Sequence, residues 1–200
     1  MRAAAIAFAL CALALGACGD DDDETSAATT GTATEATSTD PVEPAGEGPA
    51  GELTERGIGV AEVGASAERV ESAFGAPDRE RELPGCELAG PNAIPVLEWS
   101  WDLDDGTVSL DLDVSERTVS SYRTTSSSLP TTAGIRVGDS FSALRDAYGP
   151  LLKGLPLGAD PTPRAGFWYL GKPASRAWQL FDVRGGIVRT IQGGDVQICE

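Results

Sequence analysis

The chain has no histidine among its 200 residues, a single methionine and only 6% aromatic residues. Without imidazole, Ser-His-Asp and Cys-His nucleophile systems and histidine metal centres are excluded. Lysine is confined to Lys153 and Lys172, and from Gly19 to Glu52 there is neither Lys nor Arg. The formal net charge is −16. A chain this acidic has no broad basic face for nucleic acid or an anionic lipid surface, so neither is expected as a main partner. The apolar run Ala3–Leu15 is shorter than the roughly 20 residues that span a bilayer and follows Arg2, so it reads as an export signal and not as a membrane span.

What is present begins where that run ends. Leu15-Gly16-Ala17-Cys18 closes the signal with a leucine, two small residues and a cysteine, an order that resembles the lipobox of bacterial lipoproteins. The resemblance covers the first 18 residues. It implies removal of residues 1–17, a diacylglyceryl group on the Cys18 sulfur, and anchorage on the extracytoplasmic face of a cell membrane. Because one acyl chain holds a protein only marginally, further chains such as palmitate are expected at the new N-terminus.

Residues 18–52 form a second, unlike part. Ten acids sit among Thr, Ser, Ala, Gly and Pro in Gly19–Glu52. Such a segment cannot bury enough apolar surface to offset chain entropy, and it reads as a disordered acidic tether. From Leu53 to Glu200 there are 21 acids and 14 bases, a net charge of only −7. That span is the size of one ordinary domain or of two small units sharing a core. Of the four cysteines, Cys11 leaves with the signal, Cys18 takes the lipid, and Cys86 and Cys199 remain. In an exported domain these two are expected to form a disulfide, contributing about 4 to 5 kcal/mol in the chain-entropy model. Two separate buried thiols are the alternative.

Self-similarity organises the rest. Val63-Gly-Ala-Ser-Ala-Glu-Arg-Val-Glu-Ser-Ala-Phe-Gly75 aligns without a gap with Val137-Gly-Asp-Ser-Phe-Ser-Ala-Leu-Arg-Asp-Ala-Tyr-Gly149. Each stretch predicts a helix: Ser66 and Ser140 are N-cap residues, apolar positions follow at helical spacing, Gly75 and Gly149 suit the C′ position, and Pro77 and Pro150 prevent continuation. Beyond the first helix, Leu97, Trp99, Trp101 and Leu103 alternate with polar residues, as do Val108, Leu110, Leu112 and Val114, with Asp105-Gly106 as the expected hairpin turn. A third strand is expected in Thr118–Arg123. Asp182–Val188 matches Asp113–Val119, so each unit reads helix, strand, strand, strand.

Two such units, each a Val-Gly-x-Ser helix ending in aromatic-Gly and followed by a meander, resemble the β-lactamase-inhibitor-protein-like repeat, a unit shared by the small outer-membrane assembly lipoproteins. The resemblance covers about residues 54–198. It implies an α+β fold of two tandem αβββ units, residues 53–130 and 131–200, with helices packed on antiparallel sheet. It also implies proteins that bind other proteins and catalyse nothing. The expected partner is an unidentified envelope protein.

Candidate sites are few. The hairpin acids Asp102, Asp104, Asp105, Asp111 and Asp113 only faintly match a calcium loop, because the glycine falls one position early and position twelve is Asp113. No metal, cofactor or catalytic residue is therefore assigned. Phe167-Trp168-Tyr169-Leu170 and the segment from Trp178 to Val183 are apolar on both strand faces. One face is expected to pack on a helix. The other either closes an inter-unit core or offers Trp168, Tyr169, Trp178 and Leu180 to a partner. Two further readings stand beside protein binding. A small-ligand or glycan binder would line a concave pocket with Trp99, Trp101, Trp168 or Trp178, and a carboxylate-dependent hydrolase would need paired acids converging in a cleft.

Overall fold

The computed structural model describes residues 46, 48–85, 94–157, 159–172 and 178–196. A two-stranded ribbon, β1 (Gly57–Ile58) and β2 (Ala61–Glu62), precedes helix α1 (Ala67–Phe74) and strands β3 (Arg79–Leu83), β4 (Val96–Leu103), β5 (Gly106–Asp113) and β6 (Val119–Thr124). Helix α2 (Phe141–Tyr148) runs into a 3-10 turn (Gly149–Leu151) and is followed by β7 (Lys153–Leu155), β8 (Ala165–Gly171), β9 (Trp178–Arg184) and β10 (Ile187–Gly194). All eight later strands form one antiparallel sheet in the order β3-β4-β5-β6-β10-β9-β8-β7.

This corrects the expectation of an α+β fold in two tandem αβββ units. The molecule is mostly β: β6 pairs with β10, so the strands merge into a single sheet, and the helices are two short segments of 8 residues each. Besides the short ribbon of β1 and β2, the unanticipated strands are β3 and β7. Arg-Glu-Arg-Glu-Leu carries no apolar alternation, so β3 is a strand because β4 pairs with all five of its residues, from Arg79 opposite Ser100 to Leu83 opposite Val96. The first hairpin also turns one residue earlier than expected, on Asp104-Asp105, with Leu103 opposite Gly106. Gly106 has φ +154°, and a Cβ there would stand 2.6 Å from the Ser126 nitrogen.

The helix ends follow local chemistry. Ser66 Oγ accepts from the Arg69 amide (3.4 Å) and Ser140 Oγ from the Ala143 amide (3.1 Å). The same backbone bonds recur beside each helix: Ala67 N–H donates to the Arg117 carbonyl and Phe141 N–H to the Gly186 carbonyl, both at 2.8 Å. Ala67, Val70 and Phe74 of α1, and Phe141 and Leu144 of α2, face the sheet. Phe74 meets Trp101 edge-on at 5.9 Å, and Phe141 lies 4.6 Å from Trp168. Beneath them Trp99, Leu110, Leu112, Phe181, Val183 and Ile191 fill the covered face, and Leu53, Ile58 and Ala61 complete this core. Among the described residues, Gly46 and buried Pro49 of the segment read as tether already pack on this body.

At the central seam Tyr122 of β6 stands opposite Gly193 of β10, which stands opposite Gln179 of β9. The buried Tyr122 hydroxyl donates to the Thr54 carbonyl (2.8 Å) and accepts from Gln179 Nε2 (2.8 Å). Its ring occupies the space over Gly193, where a Cβ would come within 2.4 Å of Cε1. We expect Gly193→Ala to displace that ring and cost about 1 to 3 kcal/mol. Tyr122→Phe, which strands the Gln179 amide and the Thr54 carbonyl, should cost a similar amount. Urea unfolding of the two variants checks both, and wild-type midpoints would contradict this account of the seam.

Candidate functional site

Alternation along the strands decides what the second sheet face carries. One row across it reads Arg79, Ser100, Ser109, Arg123, Gln192, Leu180, Tyr169, Lys153; the next reads Arg81, Glu98, Asp111, Ser121, Gly194, Trp178, Gly171. The half built from β3 to β6 is polar. The half built from β8 and β9 is aromatic and apolar, with Trp178 and Leu180 packed against Leu155, Phe167, Tyr169 and Val196.

The polar half contains a cleft of about 370 Å³ lined by Arg79, Arg81, Glu98, Ser100, Thr107, Ser109, Arg123 and Thr125. Its wall toward β3 is an ion-paired lattice. Arg81 Nε and Nη2 both reach Glu98 Oε1, at 2.8 and 2.7 Å, and Arg79 pairs with Asp102. Glu98 is only 5% exposed, so Arg81 compensates a nearly buried charge. Ser100 and Ser109 share a hydrogen bond of 3.1 Å on the floor. Beside them Asp111 accepts from Ser121 Oγ at 2.7 Å, and its backbone carbonyl accepts from Ser120 Oγ at the point where β6 carries a bulge. Burial pushes the Asp111 carboxyl above the ordinary aspartate range. The Ser121 hydrogen bond and the Arg123 charge pull it down, and the facing Glu98 adds to the upward push. Arg123 is exposed and makes no side-chain hydrogen bond or ion pair among the described residues. Its planar fork can take a carboxylate or phosphate through two parallel N–H bonds, with the neighbouring hydroxyls beside it.

Of the four residues read from sequence as a partner surface, Tyr169, Trp178 and Leu180 are brought together and Trp168 is not. Trp168 is half-buried on the helix-covered face against Phe141. Tyr169, Trp178 and Leu180 lie on the opposite face, and Trp178 and Leu180 are each only 2% exposed, so they pack inside the apolar half. The indole N–H groups of Trp101, Trp168 and Trp178 are buried and have no hydrogen-bond partner among the described residues. Trp101 also borders a separate hollow of about 320 Å³ with Phe74, Asp78 and Leu103.

Of the hairpin acids, Asp102, Asp105, Asp111 and Asp113 are engaged within the fold. Asp105 accepts from the Ser126 and Ser127 hydroxyls, which hold its carboxyl low. Asp113 accepts from the Ser115 hydroxyl and from the Ser115 and Glu116 amides, with the same effect on its own carboxyl. Among the described residues no group of three or more metal-ligating side chains is placed to hold a metal ion, and no helix is long and apolar enough to cross a membrane. Cys18 and the expected Cys86–Cys199 pair lie outside the described residues.

Sequence reasoning missed the cleft residues. Glu98, Ser100, Ser109 and Arg123 are the polar members of alternations whose apolar members received the attention, and Asp111 beside them was weighed only as a member of the acidic hairpin. Only the strand register shows that they converge.

No family model matches this sequence, and no curated protein matches it. Among solved structures, the chain is similar to an extracellular protein containing an SCP domain from Bacillus anthracis, at 14% identity and a TM-score of 0.43, covering 66% of this chain and 44% of that one. It is similar also to the uncharacterized protein yfeY from Escherichia coli, at 14% identity and a TM-score of 0.43, covering 72% of this chain and 99% of that one. A cysteine-rich secretory protein from Staphylococcus aureus has 9% identity and a TM-score of 0.41, covering 72% of this chain and 47% of that one. The chain spans less than half the length of the Bacillus and Staphylococcus proteins.

Asp111 supplies a pH test of the site. A carboxyl whose pKa is raised on folding favours the folded state in its protonated form, so its penalty is absent below the unfolded value near 3.9, grows as pH rises to the folded pKa, and then stays constant. Asp111→Asn keeps an acceptor for Ser121 without the buried charge. We expect its Tm to exceed that of the wild type at neutral pH and the gain to vanish below about pH 4. An equal gain at both pH values would remove the electrostatic explanation.

Proposed function

We propose that this chain is a lipid-anchored lipoprotein on the extracytoplasmic face of a cell membrane, and that it works as a non-catalytic binding module for an anionic ligand held in the polar cleft. The uncommitted guanidinium of Arg123, set among Ser100, Ser109 and Thr125, is the observation that carries the ligand assignment. A fork of donors with no internal acceptor suits a carboxylate or phosphate. A small ligand is favoured over an aromatic protein-docking patch because Trp178 and Leu180 are buried, although the cleft is polar and lined by none of the tryptophans expected from the sequence. Location and anchorage rest on the signal and on Leu15-Gly16-Ala17-Cys18.

Titration calorimetry with glucuronate and with inorganic phosphate tests the cleft and separates the two anion classes, with glucose as the neutral control. The wild type should bind one anion and not glucose. Arg123→Ala should weaken that binding about 10- to 100-fold, since a hydrogen bond to a charged group is worth about 1.5 to 3 kcal/mol, with a lower Tm at neutral pH because the buried Asp111 loses a compensating charge. Equal binding of glucose and glucuronate, or an unaffected Arg123→Ala variant, would overturn the assignment. For the anchor, Cys18→Ser should move the protein from the membrane pellet to the soluble fraction, and retention of the variant in the pellet would refute lipidation at that sulfur.

The opposed Glu98 and Asp111 favour a second reading, a carboxylate-dependent hydrolase, because two acids converge across β4 and β5. Glu98 is held by Arg81 and is nearly buried, which leaves it poorly placed to reach a substrate. Hydrolysis of an acidic glycan by the wild type, abolished in Glu98→Gln, would decide for that reading.

A further inference from the structure

The β3 edge of the sheet has a charge order that restricts what can pair with it. We propose that β3 accepts an extended segment of a partner protein, bearing acidic side chains on the cleft side and basic side chains on the helix side, and that its charge order excludes a second copy of this chain. Among the described residues β3 hydrogen-bonds to β4 and to no other strand, and it ends the sheet. The opposite edge, β7, is only three residues long and is followed by Pro156, so it offers little template. By contrast β3 has five residues, the first four of them exposed.

The strand is held ready by its own side chains. Arg79 pairs with Asp102, Arg81 with Glu98, and Glu80 accepts from Trp99 Nε1 at 2.6 Å, each reaching back onto β4. An incoming strand therefore meets an ordered edge, which lowers the conformational cost of association.

The charge order follows from register. Arg79 and Arg81 pair with Ser100 and Glu98 on the cleft side, whereas Glu80 and Glu82 pair with Trp99 and Leu97 on the helix side. A closed dimer that continued the sheet through two β3 strands would need a two-fold axis perpendicular to the sheet. Directly opposite residues then lie on the same face. In each symmetric register centred on one of residues 79–82, an arginine therefore faces an arginine or a glutamate faces a glutamate, and like charges directly opposed are destabilising. A foreign strand is free of that symmetry. It can set acids opposite Arg79 and Arg81 and bases opposite Glu80 and Glu82.

The full chain, purified in detergent, is titrated with a ten-residue peptide of alternating Glu and Lys, and with a peptide of the same composition in which five Glu precede five Lys. The alternating peptide should bind about tenfold tighter than the block peptide and slow amide exchange in residues 79–83. Glu82→Lys should weaken it. Arg123→Ala, which disables the anion site, should leave it unchanged, so that failure of the cleft assignment and failure of this one are distinguishable. Sedimentation provides an independent arm. The wild type should be monomeric, whereas Arg79→Glu combined with Glu80→Thr makes the symmetric pairing complementary and should produce a dimer. Equal binding of the two peptides, no protection of residues 79–83, or a wild-type dimer lost on Glu82→Lys would each overturn the proposal.

Discussion

The pairing of β6 with β10 is the constraint on which the rest of the structure depends. Without it the chain would present two four-stranded sheets, each with an additional open edge. With it, the only free ends of the sheet among the described strands are the charged β3 and the short β7. Tyr122 secures this seam in two ways. Its ring fills the space that Gly193 leaves vacant, and its hydroxyl connects Thr54, from the chain that enters the body, to Gln179 in β9. The buried hydroxyl and the buried amide satisfy each other, so neither carries a desolvation penalty into the core.

Once the seam is closed, the two sheet faces have different tasks. Both helices cover one face, and the large aromatics Phe74, Trp101, Phe141, Trp168 and Phe181 meet there. Among the described residues no helix lies over the second face, which divides along its length. Toward β8 and β9 it is closed by its own side chains around Trp178 and Leu180. Toward β3 the same row positions carry guanidinium, carboxylate and hydroxyl groups, which stay soluble and create a cleft. The site thus arises where an uncovered sheet face could not be filled by apolar packing.

Several local features were legible because they depend on near neighbours. Ser66 and Ser140 cap their helices as the spacing indicated, and the apolar members of β4 and β5 fall on one buried face. The double-sided apolar character of β9 was also visible, although the use of its outer face was not. Trp178 is buried because Tyr169, Phe167 and Leu155 come from other strands to meet it. β3 escaped notice for a physical reason. A strand of alternating Arg and Glu is solvated on both faces in isolation and becomes a strand only when β4 supplies partners for its backbone and its charges.

From the sequence alone came the expectation of an export signal ending at Cys18, the acidic composition of the segment after it, the helix caps, the alternation of the main strands and the exclusion of histidine chemistry. These are properties of composition and of residues a few positions apart. Only the tertiary structure decided that the strands form one sheet, that Trp168 and Trp178 lie on opposite faces, and that Arg79, Arg81, Glu98 and Arg123 share a cleft. Those outcomes depend on strand register, in which a one-residue shift exchanges the faces of every side chain. Register between strands as distant as β6 and β10 is set by long-range fit, here Tyr122 over Gly193, which no local pattern encodes.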